Sequence, residues 1–106
     1  MTYDEKIKAL AALIESQYRA RIAKDYPRLT EEYLDLTTSV KVKPGKKYTK
    51  IDVGDSGKYM VDEAGNIWGI KAYGVIHKGH QYGTLDTIYE WDWSEYVAHK
   101  RQGVQR

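Results

Sequence analysis

Two of the chain's three histidines, His77 and His80, stand three residues apart in the stretch YGVIHKGHQYGTL, Tyr73 to Leu85. Histidine is the side chain that titrates nearest neutrality, so a pair on the shoulders of one turn could do acid–base or metal chemistry. In the acid–base case one imidazole takes a ribose 2′-hydroxyl proton and the other protonates the leaving oxygen. Lys71 or Lys78 then stabilises the phosphorane. Helices followed by an antiparallel sheet bearing histidines is an architecture that small ribonucleases use, which makes a metal-independent ribonuclease one alternative. In the metal case two imidazoles about 5 Å apart across a hairpin share an ion. Two ligands do not complete a shell, and Asp86, the nearest acid in the hairpin, lies three pairs away, so no metal and no cofactor are expected.

A second pattern is basic. Lys41, Lys43, Lys46, Lys47 and Lys50 form a run without an acid. Lysines hold phosphates as mobile point charges, and aromatic side chains on a sheet face stack bases. The expectation is a non-enzymatic binder of nucleic acid or of a phosphate-bearing nucleotide. Lys46, Lys47, Lys50, Lys58, Lys71 and Lys78 hold phosphate, while Tyr73, His77, His80 and Tyr82 contact bases or sugar. Asp52, Asp62 and Asp86 on the same face oppose that reading, and lysines around a turn also protect an edge strand.

A third pattern is aromatic. Tyr89, Trp91, Trp93 and Tyr96 interleave with Glu90, Asp92 and Glu95. Aromatic residues dominate interface hot spots, so this patch suits a protein inhibitor of a host factor. The competing reading folds at least one tryptophan back onto the core. GDSG and GTLD lack the strand-to-helix context of a phosphate loop, and Ser56 and Ser94 have no base at a recognisable spacing.

The elements that must position these groups follow from period and punctuation. Thr2 with Glu5 is a capping box, and Tyr3, Ile7, Leu10, Ile14, Tyr18 and Ile22 recur at helical spacing until Pro27 stops the helix near Asp25. Thr30 with Glu31 and Glu32 starts a shorter helix. From Val40 the period becomes two, with turns at KPGK, GDSG and EAGN. The fold expected is α+β: a long and a short N-terminal helix packed on one face of an antiparallel meander of four to six strands. It forms one domain over 1–106, helical over 2–36 and β over 38–93, with a basic tail over 99–106.

Register decides which groups share a face, because side chains alternate along a strand. A two-residue turn at Lys78-Gly79 pairs His77 with His80, Val75 with Tyr82, Lys71 with Asp86, and Gly74 with Gly83. A turn at Ala64-Gly65 pairs Lys58 with Lys71 and turns Trp68 and Ile70 inward with Tyr59 and Val61. An odd-length loop at Gly54 to Ser56 completes the inward set with Thr49, Ile51 and Val53. The outer face then carries Tyr48, Lys50, Asp52, Lys58, Met60, Asp62, Lys71, Tyr73, His77, His80 and Tyr82. Asp52, Lys58, Lys71 and Asp86 fall in one row across it.

Composition sets the limits. A formal charge of +2 does not by itself argue for nucleic acid. The absence of cysteine excludes thiolate metal sites and disulfides. No apolar run is long enough to span a bilayer and no signal-peptide pattern is present, so a cytoplasmic protein without a membrane partner is expected. Ten tyrosines and three tryptophans with no phenylalanine put polar handles on most of the aromatic area.

The phrases SGKYMVD, GNIWGIKAYGVIHKG and YGTLDTI, within Lys46 to Tyr96, resemble small accessory proteins encoded by bacteriophages and other mobile elements. The resemblance implies a setting, not a chemistry: the host bacterial cytoplasm and interference with host defence.

Overall fold

The computed structural model describes residues 1–72, 75–95 and 98–101, with the side chains of residues 71 and 72 left aside. Helix α1, Tyr3–Asp25, opens on the capping box: Thr2 Oγ1 accepts from the Glu5 amide, and Glu5 Oε1 accepts from the Thr2 amide. Helix α2, Glu31–Thr38, is capped by the Thr30 side chain. Five strands follow: β1 Val40–Lys43, β2 Tyr48–Val53, β3 Ser56–Asp62, β4 Asn66–Ala72 and β5 Val75–Thr84. They lie in chain order in one antiparallel sheet, the meander expected from the period-two stretch. A 3-10 turn, Ile88–Glu90, leads into β6, Trp91–Asp92, which pairs with β7, His99–Lys100.

The core lies between α1 and one face of the sheet. Ile7, Leu10 and Ile14 of the helix meet Ile51, Val53, Tyr59, Val61 and Ile67 of the strands. The Tyr3 hydroxyl pins the helix start, lying within 3.2 Å of Thr49 Oγ1 and of the Val61 and Asp62 carbonyls. No helix among the described residues is long and apolar enough to cross a membrane.

Three registers differ from expectation, each for a local reason. Between β2 and β3 the loop is the two-residue Gly54-Asp55, not an odd-length one, and a bulge restores the parity. Ile51 pairs with Tyr59 and Asp52 with Gly57, so Lys58 is the extra residue. Its side chain turns to the helix side, where Nζ lies 5.0 Å from the Tyr18 ring centroid. Lys58 therefore leaves the outer face to which alternation assigns it.

Between β3 and β4, Val61 pairs with Ile67 and Tyr59 with Gly69, one residue away from a Lys58–Lys71 pairing. The loop is longer by one because Gly65 takes a φ of +90° and its amide closes the turn on the Asp62 carbonyl at 3.0 Å. A one-residue slip exchanges faces, so Ile67 and Gly69 point inward while Trp68 and Ile70 join Met60 outside.

Between β4 and β5 the turn is not at Lys78-Gly79. Ala72 pairs with Val75, and β5 is a single ten-residue strand through both histidines. Trp68 pairs with Gln81 and Gly69 with His77, which leaves Lys78, Gly79 and His80 as a bulge. The expected pairs of His77 with His80, Val75 with Tyr82 and Lys71 with Asp86 do not form. Tyr82, expected outside, is in the core. The physical reason is the missing side chain at Gly69: the Tyr82 ring and His80 Cβ occupy the space that a Cβ there would need, at 3.4 and 3.1 Å. Tyr73, the Gly74–Gly83 pairing, Tyr96 and residues 102–106 of the basic tail fall outside the described residues.

Candidate functional site

The sheet face turned away from α1 is built chiefly by β1 and β2. Lys41 and Lys43 pair with Asp52 and Lys50, and Tyr48 pairs with Asp62, so these side chains share a face with Met60 and Trp68. Lys46 and Lys47 are exposed on the β1–β2 connection, with Lys47 Nζ 5.5 Å from the Tyr48 ring centroid. Lys41, Lys43 and Lys50 share this face, while Lys46 and Lys47 lie on the connection beside Tyr48 and Glu63.

The acids that oppose an anion on this face are engaged. Asp52 is nearly buried and holds Lys43 Nζ at 3.1 Å. Asp62 accepts from the Asn66 amide at 2.8 Å, from Asn66 Nδ2 at 3.1 Å and from Trp68 Nε1 at 3.1 Å. Burial pushes the Asp62 carboxyl up, but the hydrogen bonds from Trp68, Asn66 and Ala64 together carry it below the usual carboxylate range. Asp86 is not in a row with Asp52, Lys58 and Lys71; it is paired with Lys6 of α1 at 2.7 Å.

The histidines lie elsewhere. His77, in register with Gly69, is on the helix-side face, and its ring stacks on that of His80 with centroids 4.1 Å apart and planes 15° apart. The bulge brings the two imidazoles together as the turn was expected to, but a phosphodiester does not fit between rings in van der Waals contact. Parallel stacked rings also do not converge their nitrogens on one ion, and no cluster of three or more potential metal ligands occurs among the described residues. His80 leads by ring contact to Tyr82 at 6.4 Å and so into the core. Lys78 is exposed on the bulge, and the Lys71 side chain is outside the described residues.

The aromatic patch is divided between core and surface. Tyr59, Tyr82, Trp91 and Trp93 form a closed circuit of ring contacts with centroids 5.3 to 6.5 Å apart. Trp93 is 1% exposed, donates Nε1–H to the Ile88 carbonyl, and its backbone amide donates to Gln17 Oε1, both at 2.8 Å. Trp91 is half-buried against that core. Of the patch expected to meet a partner protein, Trp93 is packing, while Trp91 keeps part of its surface and Tyr89 is exposed. In a chain without phenylalanine the large tryptophan and tyrosine rings do the filling. The stretch from His99 is not all tail: β7 pairs with β6, and the Arg101 amide donates to the Glu90 carbonyl at 2.8 Å.

The chain matches no family model, no curated protein and no solved structure. Function therefore rests on the site's own geometry. Trp68 is the outer-face residue that alternation through Ala64-Gly65 turns the wrong way. Its signal is the Asp62-to-Asn66 spacing with Gly65 between, which suits a three-residue turn closed by an aspartate side chain.

Proposed function

We propose that the protein is a non-enzymatic binder of single-stranded nucleic acid, using the sheet face opposite α1. The observation that carries this reading is the sharing of one face by Lys41, Lys43, Lys50, Tyr48 and Trp68, with Lys46 and Lys47 exposed on the adjoining connection and Asp52 and Asp62 already engaged. Lysines supply the sequence-independent phosphate attraction, and tyrosine and tryptophan faces give stacking that tolerates any base. The lysines are spread over β1, the connection and β2 rather than converging on one point, which suits a polymer better than a mononucleotide. Lys58, His77, His80 and Tyr82 are not part of this surface. The resemblance of Lys46 to Tyr96 to accessory proteins of bacteriophages and mobile elements supports a setting in the host bacterial cytoplasm, with interference in host defence as the role.

The test is binding of a fluorescent oligothymidylate titrated with salt. Affinity is expected to fall with a log–log slope of about 0.7 per phosphate neutralised, so the double variant Lys46→Glu/Lys47→Glu flattens the slope by roughly 1.4. Tyr48→Ala is expected to weaken binding by about 1–3 kcal/mol at fixed salt through lost stacking. Absence of binding, or binding indifferent to salt, rejects the proposal.

A further inference from the structure

The side of the sheet away from the lysine face holds a cleft of about 460 Å³ between α2, α1 and the β2–β3 hairpin. Tyr18, Tyr33 and Leu36 give it apolar walls, Asp55 and Ser56 add polar groups, and Lys58 sits among them. Tyr33 and Leu36 are exposed, so the cleft opens to solvent, whereas the amine at its floor is half-buried against the Tyr18 ring. Lys58 is there because the bulge in β3 makes it the extra residue; regular alternation puts it on the opposite face.

We propose that Lys58 is a covalent capture site for a small aldehyde or ketone with an aromatic or apolar body. The neutral ε-amine adds to the carbonyl carbon, forming a C–N bond as the carbonyl oxygen takes up a proton from nitrogen. The carbinolamine then loses that oxygen as water together with the remaining N–H hydrogen, and a C=N bond is left. No oxidant or reductant enters. The cleft's volume of about 460 Å³ has room for a small aromatic body beside Tyr18 and Tyr33, and Asp55 and Ser56 line it as residues able to relay the proton. Burial supports the chemistry by lowering the Lys58 pKa to about 8 from its ordinary 10.5, so that an appreciable fraction is neutral near physiological pH.

The probe is salicylaldehyde with cyanoborohydride trapping, applied to the full chain, and the adducts are located by peptide mass spectrometry. Lys8, Lys46 and Lys78 are exposed in the same molecule and act as internal controls. At pH 7.5 an amine of pKa about 8 is neutral more than a hundredfold more often than one at 10.5, and its lower basicity gives back part of that advantage. Trapping at Lys58 is therefore expected to run about tenfold faster than at the controls, with a rate that levels near pH 8. Lys58→Arg removes that adduct alone and keeps oligonucleotide binding, because the cleft and the lysine face lie on opposite sides of the sheet. Tyr18→Ala opens the cleft to water and is expected to raise the Lys58 midpoint by more than one pH unit. Even trapping over all lysines overturns the proposal, as does a Lys58 midpoint no lower than the ordinary 10.5; the unaltered chain gives both readings even if Tyr18→Ala does not fold.

Discussion

Burial of Lys58 has a signature in stability as well as in reactivity. Its folded pKa of about 8 lies below the ordinary 10.5 of the unfolded chain. Below pH 8 both states carry the charge, and the folded state alone keeps it from water. Between pH 8 and 10.5 the unfolded chain binds a proton that the folded chain has released, so this group's contribution to stability rises with pH. Two buried tyrosines act the other way. Burial pushes the Tyr59 hydroxyl well above its usual range, the neighbouring Tyr82 adds to this, and a hydrogen bond to the Ala98 backbone offsets part; burial also raises Tyr82. Above pH 10 the unfolded tyrosines lose protons that the folded ones keep, and stability falls. Lys58→Met is therefore expected to stabilise the fold at pH 7 by about 1 kcal/mol, a figure held well below the full desolvation penalty because the ammonium is still partly solvated. Urea unfolding at pH 6.5, 8 and 9.5 checks it: the gain should shrink across the series, and a gain constant with pH means that packing, not charge, is responsible.

At the scale of elements the hairpins depend on backbone positions that side chains cannot rescue. Gly83 has a φ of +72°, and a Cβ there meets Thr87 Oγ1 and Trp91 Nε1, each at 2.5 Å. This close approach seats the Trp91 turn against β5. Gly83→Ala combines left-handed strain with a clash and is expected to cost about 2–3 kcal/mol. Gly79→Ala lacks the positive φ and meets the His77 ring at 3.3 Å, so about 1 kcal/mol or less is expected. Parallel thermal melts separate the two, and equal losses mean that the Trp91 contact carries no weight. The same contrast explains what the sequence made legible. Both helices and their caps depend on residues within one turn of each other, so Thr2, Glu5 and Thr30 announce them. The strands announce themselves by alternation, but their registers depend on single-residue events. The extra residue at Lys58, the longer loop at Gly65 and the bulge at Lys78 to His80 each exchange a face. Three of the ligand residues expected outside, Lys58, His77 and Tyr82, moved for that reason, whereas Lys50 precedes these irregularities and keeps its face. The room at Gly69 that admits Tyr82 exists only once β4 and β5 are side by side.

For the whole molecule the question is where the small excess of positive charge resides. Three basic groups of the helical layer are matched by acids: Arg19 holds Glu31 and Asp35, Arg21 holds Asp25 and Glu95, and Lys6 holds Asp86. The β1–β2 hairpin concentrates five lysines within ten residues, with Lys43 held by Asp52 and with Lys46 and Lys47 beside Glu63. A formal charge of +2 thus understates the field on one side. Charge-matched reversals test whether binding reads that face or only the total. Lys46→Glu/Lys47→Glu and Lys8→Glu/Lys24→Glu change the net charge equally, and all four side chains are exposed. The molecule is 28 Å through its thinnest dimension, while charges are screened over about 10 Å at 0.1 M salt. The hairpin pair is therefore expected to weaken oligothymidylate binding at least tenfold at that salt, roughly what two lost phosphate contacts imply. The helix pair should change it less than twofold, with circular dichroism confirming that both variants remain folded. If the two pairs weaken binding alike, the protein is attracting nucleic acid through its overall charge, and the open sheet face has no special part in it.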